Sequence, residues 1–272
     1  MSNMLYNVIG FGVMGRQIAA LLSCLDYKIN IYDRSLNESK KKLFFLNQKI
    51  LSRKFNVTCD QQKISFTRNI KDIKQGLTIE TIVENLETKR QIIKELDFEI
   101  GDGSLLTNSS SYTPSEIHSN AIGFHFFNPI HIVKIIEVTR FLPRNVQLCR
   151  LIDDLTLKLE YHIENVGENR GYIGNFILFN EIATALMLID IYGYNLNQIE
   201  RISSQIGKNY SVFEIIDLVG VDVTLTILLN LRRDNDSVYV SPSLYKAIES
   251  GIFGKKNKTS FKKYLNNYVQ IK

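Results

Sequence analysis

Apolar and polar residues in the first half of the chain follow two periodicities, that of a β-strand and that of an α-helix. Residues 5–9 form a short apolar run, IAALLSCL from Ile18 has helical spacing, and KINIYD from Lys28 alternates as a β-strand does. Two further apolar runs, LTIETIV from Leu77 and SLLTNSS from Ser104, flank a stretch with helical spacing at residues 85–100. Strands that alternate with helices predict an α/β fold with a doubly wound parallel sheet of the Rossmann type.

Two segments depart from this alternation. Residues 34–63 repeat charged and apolar positions as one long helix, with room for a second, and we interpret them as an inserted helical arm. Beyond about residue 168 the strand signals end, and FILFNEIATALMLIDIYG, LNQIERISSQIG and VTLTILLNLRR have helical spacing. We therefore expect a dinucleotide-binding domain at residues 1–168 and an all-helical domain at residues 169–272.

Composition and charge exclude several classes of protein. The chain is 44% hydrophobic and 22% charged, as in an ordinary globular protein, and its net charge of +5 comes from basic residues that are interleaved with acidic ones, which does not favour nucleic-acid binding. The three cysteines form no CxxC pattern, so neither a disulfide framework nor a metal site is expected. We find no basic leader and no run of about eighteen apolar residues, and so expect a cytoplasmic protein that does not bind a membrane.

A glycine fingerprint follows the first apolar run. Gly10, Gly12 and Gly15 form a GxGxxG pattern between a predicted strand and a predicted helix, where glycines allow a tight turn and a close approach to a pyrophosphate. Asp33 ends the second predicted strand, where a carboxylate can accept hydrogen bonds from the adenosine ribose. Because a carboxylate repels a 2'-phosphate, NAD is favoured over NADP, although Arg34 lies next to Asp33. The turn residues expected at the cofactor are Gly10, Phe11, Gly12, Val13, Met14 and Gly15.

A second motif surrounds one histidine. His125 stands in GFHFFNPIHIVKIIEV, and Glu137 follows twelve residues later. A lone histidine among apolar residues is usually structural. This segment, however, resembles the HFFNP segment of the 3-hydroxyacyl-CoA dehydrogenase family. The resemblance continues, in the family's order, through GFGVMGRQIA, IVENLETK, LLTNSSS, GYIGNFI, FEIIDLVGVDVT and SPSLYKAIESGIFGKK, and covers nearly the whole chain.

The resemblance implies an activity and its residues. The family oxidises a 3-hydroxyacyl thioester to the 3-ketoacyl thioester with NAD, or runs the reverse reaction, and it assembles as a homodimer through the helical domain. By this resemblance, His125 is the base that takes the 3-hydroxyl proton, and Glu137 orients it. Ser110 and Asn175 then correspond to residues that hold the substrate oxygen. Further positions that match the family's cofactor site are Glu84, Lys89, Asn128 and Lys256. No metal is expected.

Without the resemblance, Glu84 and Lys89 indicate only a solvent-exposed helix start. The family also places a serine and a lysine of the arm near the CoA nucleotide, where this chain has Leu46 and Arg53. Arg170 replaces a proline before GYIGN. The rim of the site therefore differs from the family pattern more than the catalytic residues do.

Two alternatives remain open at this stage. The acyl group could be carried on the phosphopantetheine of an acyl carrier protein, as in similar dehydrogenases that make hydroxymalonyl or aminomalonyl extender units. The basic excess and the Phe44–Phe45 pair on the arm are compatible with such a partner. Alternatively, the chain could bind NAD without turnover, but the match of all four catalytic positions argues against this.

Overall fold

The computed structural model describes residues 4–140 and 145–269. By its internal contacts the chain divides into two compact units, residues 1–172 and 173–272. This division lies a few residues beyond the boundary at 168/169 that we predicted from the sequence.

In the described part of the first unit, eight strands form one sheet. They are β1 (Leu5–Ile9), β2 (Lys28–Tyr32), β3 (Ile64–Thr67), β4 (Leu77–Glu80), β5 (Leu105–Thr107), β6 (Ala121–Phe126), β7 (Ile135–Thr139) and β8 (His162–Val166). Their order is β3-β2-β1-β4-β5-β6-β7-β8, and the neighbours from β3 to β6 are parallel. The predicted Rossmann-type sheet is confirmed. Its order reverses between β1 and β4, where doubly wound sheets bind ligands at the carboxyl ends of their strands.

One strand departs from the parallel arrangement that we predicted for the sheet. β7 runs antiparallel to β6 and parallel to β8. The link between β6 and β7, residues 127–134, is too short for the crossover of about a dozen or more residues that a parallel neighbour requires. The chain therefore turns back, and β7 lies beside β6 in the opposite direction.

Within residues 4–140 and 145–172, five helices accompany the sheet: α1 (Val13–Cys24), α2 (Glu38–Phe55), α3 (Leu86–Lys94), α4 (Pro114–Ile117) and α5 (Val146–Leu159). The predicted arm is the single helix α2. Residues 61–63, where the sequence left room for a second helix, form a 3-10 turn. The Asn37 side chain accepts a hydrogen bond from the Lys40 N–H at 2.9 Å and so caps the start of α2. Asn56, with φ of +52°, ends it.

α3 is shorter than the helix that we predicted for residues 85–100. It ends at Lys94. Leu96, Phe98 and Ile100 follow at two-residue spacing, which a helix cannot place on one face. Leu96 and Ile100 are buried in a small cluster beside the sheet, and Phe98 packs against it, so tertiary packing replaces the helix here.

The described part of the second unit is helical. Its helices are α6 (Tyr172–Asp190), which begins at the last residue of the first unit, α7 (Leu196–Gln205), α8 (Val212–Val219), α9 (Val221–Asp234), α10 (Pro242–Glu249) and α11 (Phe261–Val269). α6 has the length and apolar composition of a membrane-spanning helix. Phe179, Ile182 and Leu186 of α6 nevertheless lie in the core of the second unit, as in a core helix of a globular domain.

Candidate active site

The glycine turn between β1 and α1 has the geometry of an anion-binding site. Gly10 has φ of +95°, and a Cβ at Gly15 would lie 2.0 Å from the Gly10 carbonyl oxygen. A Cβ at Gly12 would meet no atom within 4 Å, so the turn is open at that point. α1 begins at Val13, and the first N–H groups of a helix have no partner within it. Such an opening accepts a pyrophosphate.

Asp33 follows β2 and faces the same turn. Its Oδ2 atom accepts hydrogen bonds from the Phe11 N–H at 2.8 Å and from Lys40 Nζ at 2.7 Å. Its Oδ1 atom accepts one from the Ser35 N–H at 2.7 Å. Burial opposes the charge on Asp33, but the hydrogen bonds from Lys40, Ser35 and Phe11 outweigh it and lower the pKa of the carboxyl. The carboxylate is therefore ionised at neutral pH, as a ribose contact requires. The contact of Lys40 with Asp33 was not predicted, because Lys40 lies in a run of three lysines that has no distinctive pattern.

Two cavities adjoin the turn. One, of about 270 Å³, is lined by residues that include Gly10, Gly12, Asp33 and Lys40. The other, of about 190 Å³, is lined by Val13, Met14, Thr81, Ile82, Glu84, Lys89, Asn108 and Ser109. The open turn, the ionised carboxylate and these cavities together fit a dinucleotide.

Phe11 is oriented differently from the other predicted cofactor residues. Its side chain is fully buried, and its ring centre lies 5.7 Å from those of Phe44 and Phe66. The backbone of Phe11 takes part in the turn: its N–H donates to Asp33, and its carbonyl oxygen accepts a hydrogen bond from Arg16 at 3.0 Å. The side chain of Phe11 therefore anchors the turn on the helical arm.

Lys89 is not part of a solvent-exposed helix start. It is fully buried, and its Nζ atom lies 2.7 Å from Oε1 of Glu80, which is also fully buried. Glu80 accepts a further hydrogen bond from Thr107 Oγ1 at 2.6 Å, and Lys89 donates to the Ile82 carbonyl at 3.0 Å. Because buried charges require partners, each residue depends on the other. Glu80 was not predicted as a site residue, and its signal in the sequence was a single acid within the apolar run LTIETIV.

Glu84 connects this ion pair to the loop after β5. It accepts a hydrogen bond from Ser109 Oγ at 2.7 Å, and Lys89 Nζ lies 3.6 Å from its carboxylate. Burial raises the pKa of Glu84, and the charge of Lys89 opposes that rise. Lys89 thus interacts with two carboxylates beside the smaller cavity.

His125 and Glu137 face each other across β6 and β7. They are paired in the strand register, and Nδ1 of His125 lies 2.8 Å from Oε2 of Glu137. The two residues are 5% and 3% exposed. A hydrogen bond at Nδ1 orients the ring and leaves Nε2 to exchange a proton. The structure places these two predicted residues in contact, and their catalytic role stays a prediction.

Two aromatic rings enclose the imidazole. The Phe127 ring meets it edge-on, with ring centres 4.8 Å apart and planes inclined by 65°. The Tyr172 ring lies parallel to it, with centres 4.7 Å apart and planes inclined by 1°. Tyr172 stands in the GYIGN match, but no role was predicted for it, because nothing local in the sequence connects it with His125.

The loop after β5 carries the predicted Ser110. Its carbonyl oxygen accepts a hydrogen bond from the Gly171 N–H at 2.8 Å. Asn108 uses Oδ1 to accept one from the Phe126 N–H at 2.9 Å, which ties the loop to the residue after His125. Asn108 is a positioning residue that the sequence analysis passed over. The role of the Ser110 hydroxyl stays a prediction.

Asn128 lies in the turn that follows β6. Its Oδ1 atom accepts a hydrogen bond from Gln17 Nε2 at 2.9 Å, and Gln17 Oε1 accepts one from the Ile130 N–H at 3.1 Å. Gln17 of α1 therefore holds this turn beside the helix that starts at the glycines. Its signal in the sequence was a polar residue among the apolar positions of α1.

The other two predicted residues lie in the second unit. Asn175 is in the first turn of α6. Lys256, in the 3-10 turn Lys255–Asn257, forms an ion pair with Asp222, and its Nζ atom lies 5.3 Å from the centre of the Phe253 ring. The roles of Asn175 and Lys256 stay predictions.

The thiols form no metal site in the described part of the chain. Cys24 Sγ and Cys59 Sγ lie 3.5 Å apart, and all three cysteines are free thiols. Among residues 4–140 and 145–269, no group of three or more His, Cys, Asp or Glu residues could hold a metal ion.

Family profiles match both parts of the chain. The profile described as "3-hydroxyacyl-CoA dehydrogenase, NAD binding domain" matches residues 6–168. The profile described as "3-hydroxyacyl-CoA dehydrogenase, C-terminal domain" matches residues 171–264.

Individual proteins are similar over nearly their full length. The 3-hydroxybutyryl-CoA dehydrogenase of Clostridioides difficile is 28% identical, with 94% of this chain and 98% of that protein covered. The mitochondrial hydroxyacyl-coenzyme A dehydrogenase of Homo sapiens is 26% identical, with 94% of this chain and 90% of that protein covered. The crystal structure of (S)-3-hydroxybutyryl-CoA dehydrogenase from Ralstonia eutropha superposes with a TM-score of 0.80 at 20% identity and covers 96% of this chain and 98% of its own. That structure supports the fold.

The buried ion pair of the site yields a stability prediction. We expect Lys89→Met to lower the free energy of unfolding by about 3–5 kcal/mol, because it leaves the Glu80 carboxylate buried without its cation. The double variant Glu80→Gln, Lys89→Met should recover much of this loss. Urea unfolding measures both. Lys41→Met is the matched control, since its partner Glu38 is largely exposed and such pairs contribute about 0–1 kcal/mol. A Lys89→Met variant that loses no more stability than Lys41→Met would contradict the prediction.

Proposed function

Because the chain belongs to the 3-hydroxyacyl-CoA dehydrogenase family, we propose that it transfers a hydride between C3 of a 3-hydroxyacyl thioester and NAD. NAD is the cofactor of this family's first domain. The observation that carries the proposal is the buried pair of His125 and Glu137, joined at 2.8 Å near the carboxyl end of β6. This pair offers a proton acceptor within the same sheet that carries the glycine turn.

The residues of the chain account for the proton side of the reaction. Nε2 of His125 takes the proton of the C3 hydroxyl as the alcohol becomes a ketone, and in reverse it returns that proton. Glu137 accepts from Nδ1, fixes the tautomer and stabilises the imidazolium that forms. Bound NAD supplies the acceptor of the hydride that leaves C3. We therefore expect the loss of Glu137 to reduce turnover more than folding.

Charge also develops on the substrate oxygen. By their match to the family, the hydroxyl of Ser110 and the amide of Asn175 are the groups that would hold this oxygen and polarise the carbonyl. Asn108 and the Gly171 N–H fix the loop that carries Ser110. The loop is thus held from two sides, and neither contact uses the Ser110 hydroxyl.

We propose that the acyl group of the substrate is carried on CoA. The relatives named above are CoA dehydrogenases, and the arm offers a basic surface for an anionic nucleotide, with Lys42, Lys49 and Arg53 exposed on α2. A different feature of α2, its exposed apolar side chains, supports the alternative that an acyl carrier protein carries the acyl group. Leu43, Leu46 and Ile50 are 46%, 53% and 38% exposed at helical spacing, an apolar stripe beside basic residues that suits an acidic protein partner.

We also propose that the protein is a homodimer. The helical unit exposes large apolar side chains, among them Ile202 on α7 and Leu218 on α8 at 63% and 61%, and burial of such side chains is one source of stability in an oligomer. Analytical ultracentrifugation at micromolar concentration should give twice the chain mass of 31.3 kDa. A single species at the mass of one chain would contradict the dimer.

The activity is tested by NADH absorbance with acetoacetyl-CoA as substrate. We expect turnover by the parent enzyme and a fall in kcat of roughly 10²–10⁴-fold in His125→Ala, because that variant lacks the acid/base. His162→Ala is the matched control, since that histidine is exposed and pairs with Glu164 on β8. Equal turnover in His125→Ala and the parent would show that His125 is not the catalytic base. No turnover of any acyl thioester would favour a binding protein without catalysis.

The same assay separates the two carriers. CoA and holo acyl carrier protein are compared with the acetoacetyl thioester of N-acetylcysteamine, which has neither nucleotide nor protein. If CoA is the carrier, Arg53→Glu raises KM for the CoA thioester and leaves KM for the N-acetylcysteamine thioester at the parental value. Turnover of the carrier-protein thioester alone would overturn the CoA assignment.

A further inference from the structure

Tyr172 packs against the face of the sheet that carries His125. Because side chains alternate along a strand, Gly123 and His125 of β6 lie on one face, beside Thr139 and Glu137 of β7, which pairs with β6 in antiparallel register. The ring of Tyr172 is parallel to the imidazole at 4.7 Å, and Tyr172 is only 4% exposed. Tyr172 therefore packs against the flat face of the imidazole, whereas Glu137 binds the ring at its Nδ1 edge.

Gly123 provides the space for this ring. A Cβ at Gly123 would lie 2.4 Å from the Tyr172 hydroxyl oxygen and 2.9 Å from Thr139 Oγ1. The Gly123 N–H donates to Thr139 Oγ1 at 2.8 Å, which fixes the strand at this point. The missing side chain is thus a notch that receives the hydroxyl end of Tyr172 and aligns its ring over His125.

The backbone at the start of α6 sets the position of this ring. Tyr172 has φ of +52°, a left-handed conformation that is costly for a residue with a side chain and is often found at functional sites. The preceding residues are tied down: the Gly171 N–H donates to the Ser110 carbonyl at 2.8 Å, and Arg170 donates to the Ser111 carbonyl at 2.7 Å and to Glu116 at 2.6 Å. Arg170, which replaces the family's proline, therefore helps to hold the tyrosine.

We propose that Tyr172 is a positioning residue of the reaction: its ring, seated in the Gly123 notch, holds the imidazole of His125 in line with Glu137 and stabilises the imidazolium form. This inference rests on the proposed function, in which His125 is the base. Tyr172 acts through His125 and need not touch substrate.

The physical basis is the charge distribution of the aromatic ring. The face of a phenol ring is electron-rich and attracts a cation that lies against it, so it favours imidazolium over imidazole. A parallel ring also prevents the imidazole from rotating out of the plane that Glu137 requires. The other ionisable groups whose charge acts on Tyr172 are carboxylates, namely Glu80 on β4, Glu84 after β4, Glu137 on β7 and Glu168 after β8. They remain in every Tyr172 variant, so a change at Tyr172 isolates the effect of its ring.

The test compares pH profiles of kcat/KM for 3-hydroxybutyryl-CoA oxidation. In Tyr172→Leu, the acidic limb should move to lower pH by roughly half a unit to one unit, because less imidazolium is present once the aromatic face is lost. kcat should fall severalfold while KM for NAD stays near the parental value. Tyr172→Phe keeps the ring and should restore the parental midpoint. Tyr192→Leu, at an exposed tyrosine, is the control for the substitution itself.

A purely structural tyrosine would give a different pattern. If the acidic limb of Tyr172→Leu coincides with that of the parent, the proposal is overturned, whatever happens to stability. Gly123→Ala serves as a second variant should Tyr172→Leu fail to fold. Its Cβ displaces the ring without changing it, so the acidic limb should move the same way, and an unmoved limb in a folded Gly123→Ala protein would also overturn the proposal.

An NMR titration separates this inference from the proposed function. The imidazole signal of His125 is followed with pH in the protein without substrate, and His125→Gln assigns it among the four histidines. A lower titration midpoint in Tyr172→Leu than in the parent supports the stacking role even if the thioester is the wrong substrate. An unchanged midpoint contradicts the stacking role even if the enzyme is active.

Discussion

The antiparallel pairing of β7 with β6 is the constraint on which the candidate site depends. In a sheet that is otherwise parallel as far as β6, this reversal sets Glu137 directly opposite His125 and joins them at 2.8 Å. A slip of one residue in this register would turn Glu137 to the other face of the sheet and leave His125 buried without its carboxylate. The short link after β6, held by Gln17 through Asn128, is what makes the chain turn back at this point.

Much of the fold and part of the site could be predicted because their signals are local. The glycine turn requires backbone conformations and open space that only glycine gives, so Gly10 and Gly12 are visible in the sequence itself. Asp33 is recognisable because the end of the second strand always faces that turn. His125 and Glu137 could be singled out only through the resemblance, since a histidine among apolar residues has no distinctive pattern by itself.

The residues that support the site could not be predicted, because their partners are distant in the sequence or belong to other elements. In the sequence, Lys89 has the pattern of a surface lysine. In the structure, β4 places the buried Glu80 carboxylate next to it, and because both charges are buried each requires the other. Tyr172 reaches His125 only because the chain returns past the loop after β5. Lys40 contacts Asp33 only because α2 folds back towards the turn. In each case the residue type was ordinary, and tertiary packing gave it a specific contact.

In the proposed reaction, C3 of a 3-hydroxyacyl thioester gives up its hydrogen as hydride to NAD, while His125 takes the hydroxyl proton. A single turnover of 3-hydroxybutyryl-CoA that carries deuterium at C3, followed by mass spectrometry of the reduced nucleotide, tests this most directly. We expect NADH that is one mass unit heavier, formed by the parent and not, on the same timescale, by His125→Ala. Reduced nucleotide without deuterium, or no reduction with a folded parent enzyme that binds NAD, would contradict it.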